Sequence, residues 1–290
     1  MPAQERIYFI GGTGGCGSAA VKLVLERGYP VTIYTRKPEA SEFKSNPNVT
    51  LVQGDYDDWT PFEKSIGGHT RLFLLIGSMV DMAGRKGTIA KIAYTAGVQQ
   101  IVDISSLTIN ACPWYHVARA HAGGEDAINA LPERKGRSYV ALRPWRFYSN
   151  FFHLKEAIKA GTFVTVTDPD VLQGFISPND IGLLAANVLT DPVEKHGDAI
   201  YLMVGHRYTP QQRADIVSKV LGKPVALAQW SYKEQYNLFI NMFHLPHSGA
   251  YDFSADAIPD PDYSPQLELA LGRKPETLEE WFEKNKAAFL

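Results

Sequence analysis

The glycines near the amino end are the residues of this chain whose type and spacing point most directly to chemistry. Gly11, Gly14 and Gly17 have the G-x-x-G-x-x-G spacing, and five of the seven residues that they span are glycine. Such glycines allow a tight turn and let backbone N–H groups approach a pyrophosphate, which then lies at the positive end of a helix. Because the segment lies between an apolar run and a helical pattern, it predicts a dinucleotide site. The predicted cofactor contacts in this segment are Gly11, Thr13, Gly14, Gly15, Cys16 and Gly17.

The residues after the second apolar run indicate which dinucleotide binds. An NAD enzyme usually places an acidic residue there, on the 2′-hydroxyl of the ribose. This chain reads Tyr34-Thr35-Arg36-Lys37, with no acidic residue before Glu39. A guanidinium beside an ammonium suits a 2′-phosphate, so Arg36 and Lys37 predict NADP(H) in preference to NAD(H). The alternative is a basic turn that contacts only solvent.

Three further strand ends carry predicted cofactor contacts. After the third apolar run, Asp55 is expected to bind the adenine amino group, and Tyr56 is expected to pack on the ring. Turn formation and helix capping explain the two acidic residues that follow equally well. A break of small residues after the fourth run leaves room for a ribose. The predicted contacts at the fourth and fifth strand ends are Ile76, Gly77 and Ser105.

The elements that must position these residues alternate between two patterns. Stretches with helical spacing, such as Ser18–Arg27 and Gly87–Ala96, separate short apolar runs. This alternation is typical of βαβ units and predicts an α/β fold with a parallel sheet and helices on both faces. The apolar runs are Ile7–Ile10, Val31–Tyr34, Val49–Val52, Leu72–Ile76 and Ile101–Ile104, with later strands at Ser138–Leu142 and Ile200–Val204.

The composition changes after Pro144, where a densely aromatic segment begins. We therefore predict a dinucleotide-binding domain over residues 1–150, to which a strand near residues 199–205 returns. Residues 151–290 are predicted to form mainly a smaller, substrate-binding lobe. Aromatic side chains at the carboxyl edge of a sheet could stack on a flat substrate, although packing between the lobes is the alternative. The predicted substrate contacts are Ser106, Phe147, Asn150, Trp230 and Phe243.

Charge and cysteine content exclude several classes of protein. The 29 basic and 31 acidic residues give a net charge of −2, which argues against a nucleic-acid partner. Cys16 and Cys112 cannot supply a disulfide framework or a four-ligand zinc site, and we interpret Cys16 as a small loop residue rather than a nucleophile. The chain has no run of 18 apolar residues and no recognisable signal peptide, so we expect a cytoplasmic protein without a membrane partner or a metal.

Motifs along almost the whole chain resemble those of the NmrA-like group of atypical short-chain dehydrogenases/reductases. They are the glycine segment at residues 11–17, Thr35-Arg36, Gly54-Asp55, Ala96-Gly97-Val98, Ile104-Ser105-Ser106, His121 with Glu125, Leu142-Arg143-Pro144 with Asn150, Phe175-Ile176 with Asp180-Ile181-Gly182, and Leu271-Gly272-Arg273 with Leu278-Glu279-Glu280-Trp281. The resemblance implies an extended Rossmann fold with a small C-terminal substrate lobe. The group includes quinone reductases, triphenylmethane-dye reductases, fungal secondary-metabolism enzymes and cofactor-sensing regulators, so the fold does not settle the reaction.

The predicted catalytic residues are His121, Tyr115 and Tyr148. Tyr115 and Arg119 imitate the Tyr-x-x-x-Lys pair of usual short-chain dehydrogenases, with arginine in place of lysine. His121 matches a position where similar reductases keep a histidine near the nicotinamide, and an imidazole could donate to a reduced oxygen or nitrogen. The alternative is a histidine that only packs its helix. Ala122-Gly123-Gly124 stands where many relatives place a lysine, which favours acceptors that need little acid catalysis.

These residues predict an NADPH-dependent reductase of a planar, electrophilic small molecule, such as a quinone, an imine or iminium ion, or a conjugated carbonyl. A role in secondary metabolism fits this substrate class, and the chain is expected to be a monomer or a homodimer. Two alternatives stay open. One is a non-catalytic protein that senses NADP(H), and the other is an isomerase or ring-rearranging biosynthetic enzyme on the same fold.

Overall fold

The computed structural model of the protein describes residues 5–254, 260 and 264–290. It divides into two compact units. Unit 1 consists of residues 5–106, Ala120–Pro144 and Pro178–Leu202, and unit 2 consists of Leu107–Arg119, Trp145–Ser177 and the described residues from Met203 onwards. The chain thus passes between the units several times. The division into residues 1–150, with a returning strand near residues 199–205, and residues 151–290 remains a prediction.

The strands and helices of the described residues are numbered here in chain order. The strands are β1 (Ile7–Ile10), β2 (Val31–Thr35), β3 (Val49–Gln53), β4 (Arg71–Leu74), β5 (Gln100–Ile104), β6 (Ser138–Pro144), β7 (Arg146–Phe147), β8 (Thr162–Thr165), β9 (Gln173–Ile176), β10 (Ile200–Met203), β11 (His206–Tyr208) and β12 (Ala226–Gln229). The helices are α1 (Gly15–Glu26), α2 (Thr60–Ser65), α3 (Met82–Thr95), α4 (Thr108–Ala111), α5 (His116–Asn129), α6 (Lys155–Lys159), α7 (Pro178–Thr190), α8 (Val193–His196), α9 (Pro210–Leu221), α10 (Tyr232–Asn241), α11 (His247–Ser254), α12 (Leu267–Leu271) and α13 (Leu278–Asn285).

A parallel sheet with the strand order β10-β6-β5-β4-β1-β2-β3 forms the centre of unit 1. Ile7 of β1 pairs in parallel with Val31 of β2 on one side and with Arg71 of β4 on the other. The strand order therefore reverses direction at β1, where the carboxyl edge of an open parallel sheet binds ligands. The predicted α/β class with a parallel sheet and flanking helices is confirmed.

The continuously apolar strands explain the core of unit 1. The residues of β1, β4 and β5 are buried throughout, as expected for central strands that helices cover on both faces. Helix α3 contributes Ile89, Ala90, Ala93 and Tyr94 to this core, at the spacing of one helical face. Helix α3 begins at Met82, five residues before the predicted start, and this earlier start brings Lys86 into the helix.

Unit 2 has smaller sheets and an aromatic core. One sheet has the order β11-β9-β7, and β12 pairs with β8. Phe151 packs on Phe163, Phe175 and Phe282 at ring-centroid distances of 5.3 to 5.6 Å. Helices α9 and α13 both begin with a capping box, which fixes their first turns. Among the helices described in either unit, none combines the length and the hydropathy needed to cross a membrane.

Candidate functional site

The glycine segment forms a short exposed loop between β1 and α1. Gly14 is the N-cap of α1, and the loop tip from Thr13 to Gly15 is exposed. Gly11 has a φ of 86°, and a Cβ on Gly17 would overlap the carbonyl oxygen of Gly11. Only glycine fits these two positions, and the first N–H groups of α1 have no partner within the helix. The loop is therefore shaped to bind an anionic group through its backbone.

Cys16 is the second residue of α1. Its side chain is buried, and burial raises the pKa of the thiol to about 11, although the backbone N–H groups of Cys16 and Gly17 act in the opposite direction. A thiol of that pKa is not a nucleophile near neutral pH. The interpretation of Cys16 as a small loop residue agrees with this placement.

Arg36 and Lys37 lie directly after β2, at the same edge of the sheet as the glycine loop. Both side chains are exposed, and neither has an ion pair within the described part of the chain. Two adjacent cations without a carboxylate partner give this strand end a positive potential that favours a phosphate. Their role in binding a 2′-phosphate remains a prediction.

The residues after β3 form a turn against an aromatic cluster. The Oδ1 atom of Asp55 accepts hydrogen bonds from the backbone N–H groups of Asp57 and Asp58, at 2.9 and 3.2 Å. Asp55 therefore shapes the turn, and its contact with the adenine amino group remains a prediction. The half-buried ring of Tyr56 packs near Trp59, and the Arg85 guanidinium lies 5.3 Å from the Tyr56 centroid. A contact of Tyr56 with an adenine remains a prediction.

The ends of β4 and β5 complete the same edge of the sheet. Ile76 is buried and Gly77 is exposed just beyond β4, while Ser105 follows β5 directly and its N–H donates to the carbonyl of Leu142 at 2.8 Å. Ser106 is half-buried. The parallel sheet thus gathers all the predicted cofactor contacts at the carboxyl ends of β1 to β5.

Ser105 belongs to a buried hydrogen-bonded group with Glu125 of α5 and Arg143 of β6. The Ser105 hydroxyl donates to Oε1 of Glu125. The Arg143 guanidinium donates to both carboxylate oxygens, from Nε to Oε1 at 2.9 Å and from Nη2 to Oε2 at 2.5 Å. The bidentate contact fixes the carboxylate, and the carboxylate fixes the serine proton.

His121 lies one helical turn before Glu125 on α5 and is buried. Burial lowers the pKa of His121 to about 3, and the ammonium of Lys86 acts in the same direction. The imidazole is therefore neutral at physiological pH and can donate a hydrogen bond through its single N–H. Its Nδ1 atom is buried and has no hydrogen-bond partner among the described residues. Since buried polar atoms are nearly always paired, this atom is available to a ligand.

A second buried charge pair, which the sequence analysis does not identify, lies close to His121. The Lys86 ammonium of α3 contacts both carboxylate oxygens of Asp103 on β5 at 2.7 Å, and it also donates to the carbonyl of Ile104 at 3.3 Å. The Tyr139 hydroxyl donates to Asp103 at 2.8 Å. Burial raises the pKa of the Asp103 carboxyl, an effect that the ammonium opposes.

Two features of the sequence could have revealed this pair. Asp103 interrupts the apolar run of β5, and a carboxylate in a buried strand needs a cation. Lys86 precedes Ile89, Ala90 and Ala93 at intervals of three, four and seven residues, so it lies on the apolar face of α3.

The predicted catalytic tyrosines both belong to unit 2. Tyr115 is half-buried at the residue before α5, with its ring edge-on to Trp114 at 6.1 Å, and the side chain of Arg119 is exposed. Tyr148 is fully buried, and its ring stacks on Phe175 at 6.2 Å. Its hydroxyl donates to the carbonyl of Glu276 at 3.3 Å. These contacts are typical of a core residue, so Tyr148 does not enter the function proposed below.

The predicted substrate contacts in unit 2 differ in how exposed their side chains are. Asn150 is exposed, whereas Phe147 and Trp230 are half-buried. Phe243 is half-buried and packs edge-on against His153, with the ring centroids 4.5 Å apart. Their contact with a substrate remains a prediction.

The chain is similar in sequence and in fold to several known proteins. Residues 3–282 match the profile of the NmrA-like family. An NAD(P)H azoreductase of Xenophilus azovorans is 24% identical over 291 residues, which cover 98% of this chain and 99% of the relative. Two solved structures with the same fold are a Citrobacter sp. triphenylmethane reductase complexed with NADP(H), at 24% identity and a TM-score of 0.77, and an Escherichia coli NADPH-dependent quinone oxidoreductase complexed with NADPH, at 22% identity and a TM-score of 0.76. Each comparison covers 97% of this chain and 99% of the solved chain.

Proposed function

The chain belongs to the NmrA-like family, and from this premise we propose that it is an NADPH-dependent reductase of planar aromatic or conjugated acceptors. Quinones, iminium or triphenylmethane dyes, and azo compounds belong to this class. The relatives support the proposal because they include an NAD(P)H azoreductase, a triphenylmethane reductase and a quinone oxidoreductase. These proteins differ in substrate, so the proposal names a class of acceptor and not one compound.

The residues present fit a dinucleotide. A Cβ on Gly17 would overlap the Gly11 carbonyl oxygen, so the loop can keep its shape only with glycine there, and the N–H groups at the start of α1, which have no partner within the helix, suit a pyrophosphate. Arg36 and Lys37 lie past β2, on the side of β1 where the adenosine half would lie, and they suit a 2′-phosphate. When bound, NADPH would supply the hydride, while the protein would orient the reactants and stabilise the developing charge.

A single observation carries the proposal most strongly. His121 lies in the same unit as the glycine loop, and its buried Nδ1 atom has no hydrogen-bond partner in the part of the chain that the structure describes. A small-molecule acceptor bound beside His121 would give this atom the hydrogen-bond partner that it lacks. With a pKa of about 3, His121 would stabilise a reduced oxygen or nitrogen as a neutral hydrogen-bond donor. The proton itself would come from water.

Anaerobic turnover assays test the proposal. The purified chain is mixed with NADPH and, in separate reactions, menadione, malachite green or methyl red, and the absorbance at 340 nm and that of each dye are followed. We expect NADPH oxidation with at least one acceptor, and slower oxidation of NADH at equal concentration. Tight binding of NADPH without turnover of any acceptor would contradict the proposal.

A second candidate function is a sensor that binds NADP(H) without turnover. The specific observation in its favour is the low pKa of His121, because no imidazolium acid is available at neutral pH. The same assays separate the two functions. A sensor would bind NADPH and NADP+ with different affinities but would leave every acceptor unreduced.

A further inference from the structure

The hydrogen-bond geometry at Ser105 determines which partner its oxygen can take. A serine hydroxyl has one proton and two acceptor lone pairs, whereas an ionised carboxylate has no proton to donate. Glu125 receives a bidentate contact from Arg143, so the hydrogen bond between Ser105 and Glu125 uses the serine proton. Ser105 Oγ is left as an acceptor only, and within the described residues nothing else donates to it. A ligand atom at this oxygen must therefore be a donor.

The position of Ser105 in the sheet indicates which part of a dinucleotide it meets. The glycine loop follows β1, and the basic residues Arg36 and Lys37 follow β2 on one side of it. Ser105 follows β5, which lies two strands from β1 on the other side, at a distance of about 10 Å. A dinucleotide whose pyrophosphate lies on the loop and whose adenosine lies over β2 would extend its nicotinamide half toward β4 and β5.

We propose that Ser105 accepts a hydrogen bond from the carboxamide N–H of the nicotinamide ring. Glu125 and Arg143 are then positioning residues, because they hold the serine proton in the hydrogen bond to Glu125 and leave only the serine oxygen to the ligand. This assignment rests on the proposed function, because it requires a nicotinamide cofactor. The carboxamide is the nicotinamide group that carries N–H donors. Its recognition fixes the rotation of the ring and therefore which face of C4 is turned to the acceptor.

The test compares two ligands that differ only in this donor. NADP+ has a carboxamide, whereas its 3-acetylpyridine analogue keeps the carbonyl and replaces the NH2 with a methyl group. Calorimetry on the full-length chain gives Kd for both. We expect wild-type protein to bind NADP+ more tightly than the analogue by about fivefold, the loss expected for one neutral hydrogen bond.

Variants of the serine isolate its contribution. Ser105→Ala removes the acceptor and should bring the two Kd values within about twofold of each other, while Ser105→Thr keeps the hydroxyl and should restore the preference. Ser45→Ala, at an exposed serine of the same unit that has no predicted role, is the control and should keep the wild-type ratio. A purely structural role of Ser105 would weaken both ligands equally and would leave the ratio unchanged.

Glu125→Gln tests the positioning residues. With an amide at this position the serine proton is no longer committed, so Ser105 can donate to the carbonyl that both ligands share, and the preference for NADP+ should fall toward equality. Circular dichroism checks the fold, and Ser105→Ala decides the question if the Glu125 variant does not fold.

The outcomes separate this inference from the proposed function. If Ser105→Ala keeps the wild-type ratio while both ligands bind, the assignment of Ser105 is overturned and the reductase proposal stands. If wild-type protein binds neither ligand, the proposed function fails, and the assignment fails with it.

Discussion

Two parts of unit 1 contribute to the candidate site, one through its backbone and the other through charged side chains. The glycine loop has no charged side chain between Gly11 and Gly17, so it can offer a ligand only backbone N–H groups, polar atoms and the space that absent Cβ atoms leave. The region around α3, α5, β5 and β6 instead holds two charge pairs, Lys86–Asp103 and Glu125–Arg143, in which every side chain but the half-buried Arg143 is buried. Larger side chains in the loop would fill the space that a ligand needs. In the charged region, each charge is stable because an opposite charge pairs with it. Substitutions should therefore affect ligand binding in the first region and stability in the second.

The largest effect is expected where a buried charge loses its partner. Lys86→Met leaves the Asp103 carboxyl buried beside an apolar side chain, so the free energy of unfolding should fall by about 3–5 kcal/mol. Urea denaturation measures it, with Lys91→Met as a control on the exposed face of the same helix, where about 0.5 kcal/mol or less is expected. Equal effects of the two substitutions would show that the Lys86–Asp103 pair does not stabilise this region.

The next effect concerns ligand binding. Gly17→Val would place a branched side chain against the Gly11 carbonyl and disturb the loop, so Kd for NADPH should rise by about 100-fold. Calorimetry measures this change, and Gly67→Ala, which has open space around its Cβ position, is the control. If Gly17→Val kept the wild-type Kd, the loop would not be the pyrophosphate site.

The charged region also predicts a pH dependence of stability. The pKa of His121 is lower in the folded chain, at about 3, than its ordinary value of 6.5, so the unfolded chain binds more protons as the pH falls below 6.5. Stability is therefore lost from about pH 6.5 downward. Between pH 7 and pH 5 this histidine should account for about 2 kcal/mol of the loss.

The variant His121→Asn measures that contribution. Its free energy of unfolding should fall by about 2 kcal/mol less than that of wild-type protein over the same interval. The comparison uses urea denaturation at both pH values. His244→Asn, at an exposed position in unit 2, should leave the wild-type dependence unchanged. If His121→Asn has the wild-type pH dependence, the imidazole is not held neutral by its surroundings.

The smallest expected effect lies at the exposed cations after β2. Arg36→Glu should raise Kd for NADPH by about tenfold and should change Kd for NADH much less, because only NADPH carries the 2′-phosphate. Lys64→Glu, which makes the same charge change on α2, is the control. An equal loss of affinity for both dinucleotides would exclude a role of Arg36 in phosphate binding.

The same contrast explains how much of the site the sequence predicts. The glycine loop and the residues after each strand follow from local patterns, because the carboxyl ends of parallel strands meet at one edge. The Lys86–Asp103 pair joins residues of α3 and β5, and the predicted helix at Gly87–Ala96 begins one residue too late to include Lys86. Because the predicted helix starts too late, the sequence pattern does not identify Lys86 as a buried cation. The buried position of Tyr148 depends on packing inside unit 2, which its aromatic neighbours in the sequence do not determine.

One measurement tests the central claim most directly. NADPH is mixed anaerobically with the full-length chain and menadione, and the consumption of NADPH is followed at 340 nm together with the formation of the hydroquinone. The account predicts equimolar loss of NADPH and gain of hydroquinone, or the corresponding reduction of malachite green or methyl red in parallel reactions, at a rate proportional to protein concentration. Calorimetric binding of NADPH with no oxidation above the protein-free rate, for menadione and both dyes, would contradict it.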